Sequence, residues 1–409
     1  MKVLIYLARV IFGLTFVISG FFKFVDPVGT SLIIKEYLSA LNIDLPISLY
    51  LGILLSVFEF IVGAAVFLRL RTRIFVGVGL AMMIYFTLLT LWLAIANPIE
   101  DCGCFGEAIK LSNWQTFYKN IVLLILVVFL FFKRDKLVNK ECRKTEYIYL
   151  LFFVVLSLFI VTGSLRYGPL LEFGQFSVGT DIQLELEKAQ SNADFKSSFI
   201  YEKNGKKEEF ALENLPDSTW TFLESKSELI SSSELSSFDF SVSDDSGNYV
   251  SQELLAQPKL FFSVIHDLDS FNSEEYSSKL YELADSLDKR NINLYILATS
   301  LSGNVEKKLG RLPSNVYIYN SDYKTLISLS RTNGGFVFVA DAIVAAKWPI
   351  FYSNSRIIGA VDKGADNSIV RRVITSRLVW EILLVLFILS RYILLGLRKF
   401  IHRRQDDEK

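Results

Sequence analysis

Only two histidines, His266 and His402, and three cysteines, Cys102, Cys104 and Cys142, occur in 409 residues. Two histidines cannot build a His-rich metal or haem site. Three cysteines in so long a chain exclude a disulfide-stapled secreted scaffold. Net charge is missing too. The 43 basic and 43 acidic side chains balance, so no excess charge recruits nucleic acid, and any asymmetry must be local. What the chain has in abundance is apolar surface. Hydrophobic residues make up 51% of it, with 34 phenylalanines and 18 tyrosines, and mean hydropathy is +0.36. Lipid-facing and interfacial surfaces call for that composition. The 21% of residues that are charged must then be concentrated outside the lipid.

Six apolar runs are long enough to span a bilayer at roughly 20 residues per crossing. They lie near Val3–Phe22, Ser48–Leu68, Ile74–Ala96, Trp114–Phe132, Tyr147–Leu165 and Leu378–Leu397. The first follows Lys2, as a signal peptide would, but Gly20-Phe21-Phe22-Lys23 offers no small-residue cleavage site, so it reads as a retained helix. Orientation follows from the loop cations. Arg69, Arg71 and Arg73 fill the second loop, Lys133 to Lys144 crowd the fourth, and Arg398, Lys399, Arg403 and Arg404 follow the last span. All three clusters share one side if both termini are cytoplasmic. The stretch after Asp26-Pro27, with Leu32, Ile33, Tyr37, Leu38 and Leu41 at helical spacing, predicts a short interfacial helix over the bundle.

Between the fifth and sixth spans lie roughly 210 residues, carrying most of the polar composition. Phe199–Phe210 predicts a hairpin about Asn204-Gly205, a type I′ turn signal. From Pro258 strands and helices alternate in the order β-α-β-α-β-α-β-β, which is thioredoxin-like. A redox thioredoxin carries Cys-X-X-Cys after its first central strand; here that turn reads His266-Asp267-Leu268-Asp269-Ser270. The loop that normally presents a cis-proline reads Thr332-Asn333-Gly334-Gly335. Without a thiol, this domain cannot run dithiol exchange. His266 occupies the active-site-like position and reads as a polar turn residue.

The sharp motif of the membrane half is Asp101-Cys102-Gly103-Cys104-Phe105-Gly106, between spans three and four on the side opposite the basic clusters. In an oxidising compartment Cys102 and Cys104 would tend to pair, with Gly103 easing the turn. A ring so small should be readily reduced, which suits exchange chemistry. A turn-stabilising disulfide, or two thiols packed on the bundle, fits the motif as well, and Asp101 nearby disfavours a thiolate. Cys142, among basic residues on the cytoplasmic side, reads as a plain reduced thiol. Two ionisable residues inside the spans require partners. Counting 1.5 Å per residue from the basic edge sets Arg9 at about 10 Å and Glu59 at about 15 Å, which predicts a structural Arg9–Glu59 ion pair rather than a pair with Lys23.

These residues resemble a known family. Arg9-Val-Ile-Phe-Gly, Ser19-Gly-Phe-Phe-Lys23-Phe-Val-Asp26-Pro27, the helix through Tyr37-Leu38, and Glu59 with Gly63 resemble the DoxX/MauE family over about residues 1–135. The Cys-Gly-Cys-Phe-Gly motif is similar to its MauE-like branch. The whole chain resembles a Bacteroidota subfamily that joins this bundle to a periplasmic thioredoxin-like domain, with Phe173-Gly-Gln-Phe-Ser-Val-Gly179-Thr as a short juxtamembrane motif. That resemblance implies a Gram-negative inner membrane. MauE is associated with disulfides of methylamine dehydrogenase, and DoxX with a thiosulfate:quinone oxidoreductase; nothing in this sequence carries either substrate over.

The expected fold is therefore an α-helical membrane bundle, a four-helix DoxX/MauE-like core plus two further transmembrane helices, with an exported α/β thioredoxin-like domain. The expected layout is the four-helix domain over 1–135, a basic cytoplasmic loop and fifth span over 136–165, and a β-rich entry region over 166–255. The thioredoxin-like domain follows over 256–353, then a linker over 354–377 and the sixth span with a basic tail over 378–409. Two functions are compatible with these expectations. One is an inner-membrane thiol–disulfide redox protein acting through Cys102 and Cys104, with a quinone as a conceivable electron partner and no motif that names a cofactor. The other is a non-catalytic assembly protein whose degenerate thioredoxin-like domain binds a periplasmic or envelope protein. The lipid bilayer is the surrounding partner in both.

Overall fold

The computed structural model describes residues 2–43, 45–99, 102–109, 111–137, 143–191, 195–203, 206–211, 220–229, 238–269 and 273–364, with the single positions 381 and 385. The N-terminal half is helical: α1 (Lys2–Val25), α2 (Pro27–Ala40), α3 (Ser48–Leu68), α4 (Thr72–Ala96), α5 (Asn113–Phe132) and α6 (Arg143–Tyr167), with a short strand β1 (Cys104–Glu107) before α5. Five of these helices, all but α2, are long and apolar enough to cross a membrane. The expected sixth span, the basic tail and Cys142 lie outside the described residues.

Small residues let α1 and α3 pack antiparallel at close range, as in membrane helix pairs generally. A Cβ on Gly20 would stand 2.6 Å from the backbone of Phe60 and Ser56, and one on Gly63 would stand 2.6 Å from Val17 N. Gly13 meets Phe67 in the same way. These three contacts fix the register, and the register decides the buried ion pair. Glu59 lies level with the Phe21 turn of α1, and Lys23 Nζ reaches its Oε2 at 2.7 Å. The expected Arg9–Glu59 pair is not the one formed. Arg9 lies level with the far end of α3, about three turns from Glu59, and its Nη1 donates to Phe67 O at 3.0 Å. Counting from Lys2 sets Arg9 too far into the span, because α1 begins beyond the level of the Arg69–Arg73 loop.

Both members of the Lys23–Glu59 pair are buried, so removing one strands the other without compensation. Glu59→Ala is expected to destabilise the bundle by roughly 3–5 kcal/mol, and Lys23→Met added to it should recover more than half of that loss. Arg9→Leu added instead should deepen it. Thermal unfolding in detergent reads all three; equal recovery with Arg9→Leu would restore the Arg9 pairing.

After α2, whose N-cap Asp26 accepts from Gly29 N at 2.9 Å with Pro27 following, the chain returns to the bundle. Beyond α6 come α7 (Ile182–Ser191) and an antiparallel sheet of β2 (Phe195–Lys203), β3 (Lys206–Ala211) and β4 (Thr221–Leu229) in the order β3-β2-β4. The expected hairpin is β2–β3, in register Lys203↔Lys206 across positions 204 and 205, which themselves lie outside the described residues.

The second sheet orders β10-β9-β6-β7-β8-β5, from β5 (Val242–Ser243), β6 (Lys259–Ile265), β7 (Leu294–Ala298), β8 (Val316–Ser321), β9 (Gly335–Ala340) and β10 (Ile343–Trp348). Strands β6, β7 and β8 are parallel and β9 runs antiparallel to β6. Helices α8 (Ser251–Leu255), α9 (Ser273–Asp288), α10 (Ser302–Leu309), α11 (Tyr323–Leu329) and α12 (Asn354–Lys363) complete the unit. This is a thioredoxin-like arrangement. Phe261 and Ile265 face a core with α9, α10 and α12, while Leu260, Phe262 and Val264 face another with α8 and α11. Such two-sided burial explains why β6 reads as a continuous apolar run.

Two expected boundaries move. Ile357 and Val361 of α12 are buried in the first core, so the unit extends past 353 into the expected linker. Phe176, Ile182, Phe240 and Val242 are buried in the second core, so parts of the expected entry region belong to this sheet.

Candidate functional site

The Cys-Gly-Cys loop lies at the Lys23 end of α1. Gly103 adopts φ +61°, and a Cβ there would fall 2.5 Å from Ile33 of α2, so both conformation and space demand glycine. Gly106 N closes the turn onto Gly103 O at 2.9 Å. β1 then seats on α1, with Ser19 Oγ donating to Cys104 O at 2.5 Å. From above, Tyr37 of α2 donates to Cys102 O at 2.7 Å and lies 3.3 Å from its sulfur. The loop is held at its far end by Asn113, whose Nδ2 donates to Asn97 Oδ1 at 2.9 Å and to Ile99 O at 2.8 Å.

Cys102 and Cys104 stand as two thiols with their sulfurs 2.9 Å apart. Cys102 is buried and Cys104 partly so. Their acidities diverge. The hydrogen bond from Cys102 is the largest influence on Cys104; burial and Glu59 oppose it, Lys119 and Lys23 assist it, and the Cys104 pKa is held down to about 7. Donation to Cys104, then burial, push Cys102 well above the usual thiol range, against the bond from Tyr37 and the charge of Lys23. The contact thus favours the ionised form of Cys104, with Cys102 as its hydrogen-bond donor. Asp101, expected to oppose a thiolate, lies outside the described residues; the cations that favour one were not legible in the loop itself, since Lys119 comes from α5 and Lys23 from α1. Lys119 Nζ lies 4.5 Å over the Phe105 ring, and Lys23 Nζ lies 5.9 Å from that of Phe86.

Of the expected site residues, the structure brings Cys102, Cys104 and Glu59 to one end of the bundle and leaves Arg9 towards the other. Sequence reading missed Lys23 as Glu59's partner, and it missed Tyr37, Ser19 and Lys119. The Ser19–Lys23 spacing, one turn of α1, was the available signal.

Residues 1–133 match the family model of methylamine utilisation protein MauE. This part of the chain is MauE-like. Protein TlpB of Flavobacterium psychrophilum is 34% identical over 128 residues, which are 31% of this chain and 32% of that protein. The chain thus matches about a third of the length of that curated relative. Residues 195–232, the region of β2 to β4, match a domain of unknown function (DUF8463). No solved structure matches. The family match over 1–133 covers α1 to α5 and the cysteine loop of the MauE-like domain.

In the thioredoxin-like unit, the two loops that would carry redox residues are tied to each other. Asn333 Oδ1 accepts from His266 N at 3.0 Å and Asp267 N at 3.2 Å, and Asn333 Nδ2 donates back to Asp267 O at 2.6 Å. His266 is not a free turn residue: its Nε2 is buried without a hydrogen-bond partner among the described residues, and burial pushes its pKa down against the pull of Asp267. Its ring meets Tyr323 edge-on at 6.2 Å.

The acidity split is directly measurable. Because the thiolate is the nucleophile, alkylation of Cys104 by iodoacetamide should rise with pH through a midpoint near 7, with Cys102 nearly inert over the same range. Cys102→Ala should move the Cys104 midpoint upward, towards the ordinary thiol range, by removing the donor. Peptide mass spectrometry across a pH series reads both residues; equal reactivity of the two thiols would contradict the assignment.

Proposed function

We propose that this MauE-like membrane protein is a thiol–disulfide exchange protein of a bacterial inner membrane, with Cys104 as the nucleophile and Cys102 as the resolving thiol. The observation that carries the proposal is the pairing of two contacting thiols, one favoured as a thiolate by its partner's hydrogen bond and by Lys119 and the buried Lys23, and the other held protonated. The Cys104 thiolate attacks a disulfide of an envelope protein, breaking that S–S bond and forming a mixed disulfide as the partner's first sulfur leaves and takes up a proton. Cys102 then loses its proton and attacks the Cys104 sulfur. The Cys102–Cys104 bond forms and the partner leaves as a dithiol, reduced by two electrons. The reverse sequence, with a protein dithiol as donor, resets the pair. Only thiols take part, and no step is routed through a quinone.

The orientation proposed is cysteine loop and α/β domain on the periplasmic side, basic loops in the cytoplasm. Two contacts support it. Gly106 packs on Phe22 and Lys23 at one end of the bundle, and Arg73 pairs with Asp135 at 2.8 Å at the other, so the two basic loops meet away from the cysteines.

Separate roles for the two thiols imply separate phenotypes. Cys102→Ser should accumulate mixed disulfides between Cys104 and envelope proteins, whereas Cys104→Ser should trap none, at equal protein abundance. Non-reducing gels of alkylated membranes read the adducts. The same adducts in both variants would remove the assigned order of attack. Absence from both, with full complementation by each, would favour the non-catalytic assembly reading, in which the cysteine-free domain is the binding part.

A further inference from the structure

The thioredoxin-like unit meets the bundle with the face that a redox thioredoxin presents to its substrate. Arg331, in the loop before β9, donates from Nε to Asp26 Oδ2 at 3.0 Å and from Nη2 to Glu107 Oε2. Its Nη1 is anchored on Ile327 O at 3.0 Å. Asp26 caps α2, and Glu107 ends the strand that Cys104 begins. Arg331 and Asp26 are buried, with side-chain exposures of 6% and 8%, and Glu107 is half-buried at 20%. Burial works against the Arg331 charge, and the two carboxylates more than offset it, so its pKa is raised. A Cβ on Gly174, in the juxtamembrane motif, would fall 2.8 Å from Glu107 Oε2 and 3.0 Å from Arg331 Nη2, so that motif closes over the cluster.

Further along α2, Lys35 Nζ lies 4.3 Å over the Tyr323 ring, and Lys324 Nζ pairs with Glu36 at 2.8 Å. Ile33 and Tyr37, four residues apart and so on a shared face, meet Gly103 and Cys102. Helix α2 thus touches both the cysteine loop and the thioredoxin-like unit, and the unit holds it at both its start and its middle.

We propose that α2 and the cysteine loop form the docking surface for an external thioredoxin-fold thiol protein, and that the chain's own cysteine-free thioredoxin-like domain occupies this surface in cis, latched by Arg331. The inference rests on the exchange reading above and adds the class of partner and the device that controls its access. A thioredoxin fold is already seated there by the face that carries cysteine and proline in redox members, against a surface whose carboxylates Asp26, Glu36 and Glu107 meet Arg331 and Lys324. While it is seated, the partly exposed Cys104 is open to small thiol reagents but closed to another thioredoxin fold. Release of Arg331 leaves the buried Asp26 and the half-buried Glu107 without their cation, and both gain by hydration, which favours the undocked state.

The test uses the full-length protein in detergent, in a Cys142→Ser background, with two probes. One is iodoacetamide. The other is a thioredoxin whose resolving cysteine is serine and whose remaining cysteine carries the Ellman thiol, so that attack by Cys104 joins the two proteins and releases the chromophore. Arg331→Ala should speed the thioredoxin reaction at least about 10-fold, with iodoacetamide changing by less than about 3-fold. The exposed pair gives a second test: Lys324→Glu should speed the thioredoxin reaction, and Glu36→Lys added to it should return the rate towards the starting value. Unchanged thioredoxin rates in every variant, with Cys104 still alkylated, would overturn the cap and leave the exchange reading intact. Cysteines inert to both probes in every variant would overturn both.

Discussion

The close antiparallel contact of α1 with α3 is the constraint on which the rest depends. Three glycines bring the two backbones together, and the register they impose sets Lys23 against Glu59. The same end of α1 then serves as the platform for the cysteine loop, through Ser19 and the Phe22–Lys23 turn. An ammonium held by a carboxylate in a dry site is costly to leave unpaired, and that cost ties the position of the helix pair to the electrostatics beneath Cys104. Helix packing and thiol acidity are therefore two consequences of one contact.

From this platform the structure builds outward in layers. The cysteine loop lies on α1, α2 lies on the loop, and the thioredoxin-like unit lies on α2. Each layer is held by a different interaction: a hydroxyl on a carbonyl, a tyrosine on a cysteine, and an arginine between two carboxylates. The juxtamembrane stretch joins both ends of the stack. Phe173 meets Phe22 of the bundle edge-on at 5.1 Å, and Phe176 is fully buried in the α/β core. Loss of the redox residues in the thioredoxin-like unit coincides with a new use of the same loops. Asn333 locks them together, and Arg331 beside it reaches the membrane half.

Local pattern made much of this legible. Hydropathy located Ser48–Leu68 with the same bounds as α3, alternation of strands and helices gave the order of the α/β unit, and Asn204-Gly205 set the hairpin register. What stayed illegible depends on distance along the chain. Arg331 is 305 residues from Asp26 and 224 from Glu107, and no local period marks such partners. The Lys23–Glu59 pair was misassigned because heights counted from loop cations ignore where each helix actually starts. Helix α12 falls in the expected linker because its apolar positions, Ile357 to Val361, span little more than one turn between polar ends. The acidity of Cys104 is illegible for a related reason: the charged residue near it in sequence is Asp101, three positions away, while its nearby cations, Lys119 and Lys23, come from other helices.

The central claim is that Cys102 and Cys104 change redox state together in the folded protein. Thiol trapping with a mass-adding maleimide in native membranes, in a Cys142→Ser background, measures this most directly. The account predicts a pair that shifts as a unit, unlabelled in oxidised membranes and doubly labelled after mild reductant, without denaturation. Two thiols that stay labelled under every redox condition, in a protein whose cysteine variants remain fully functional, would contradict it.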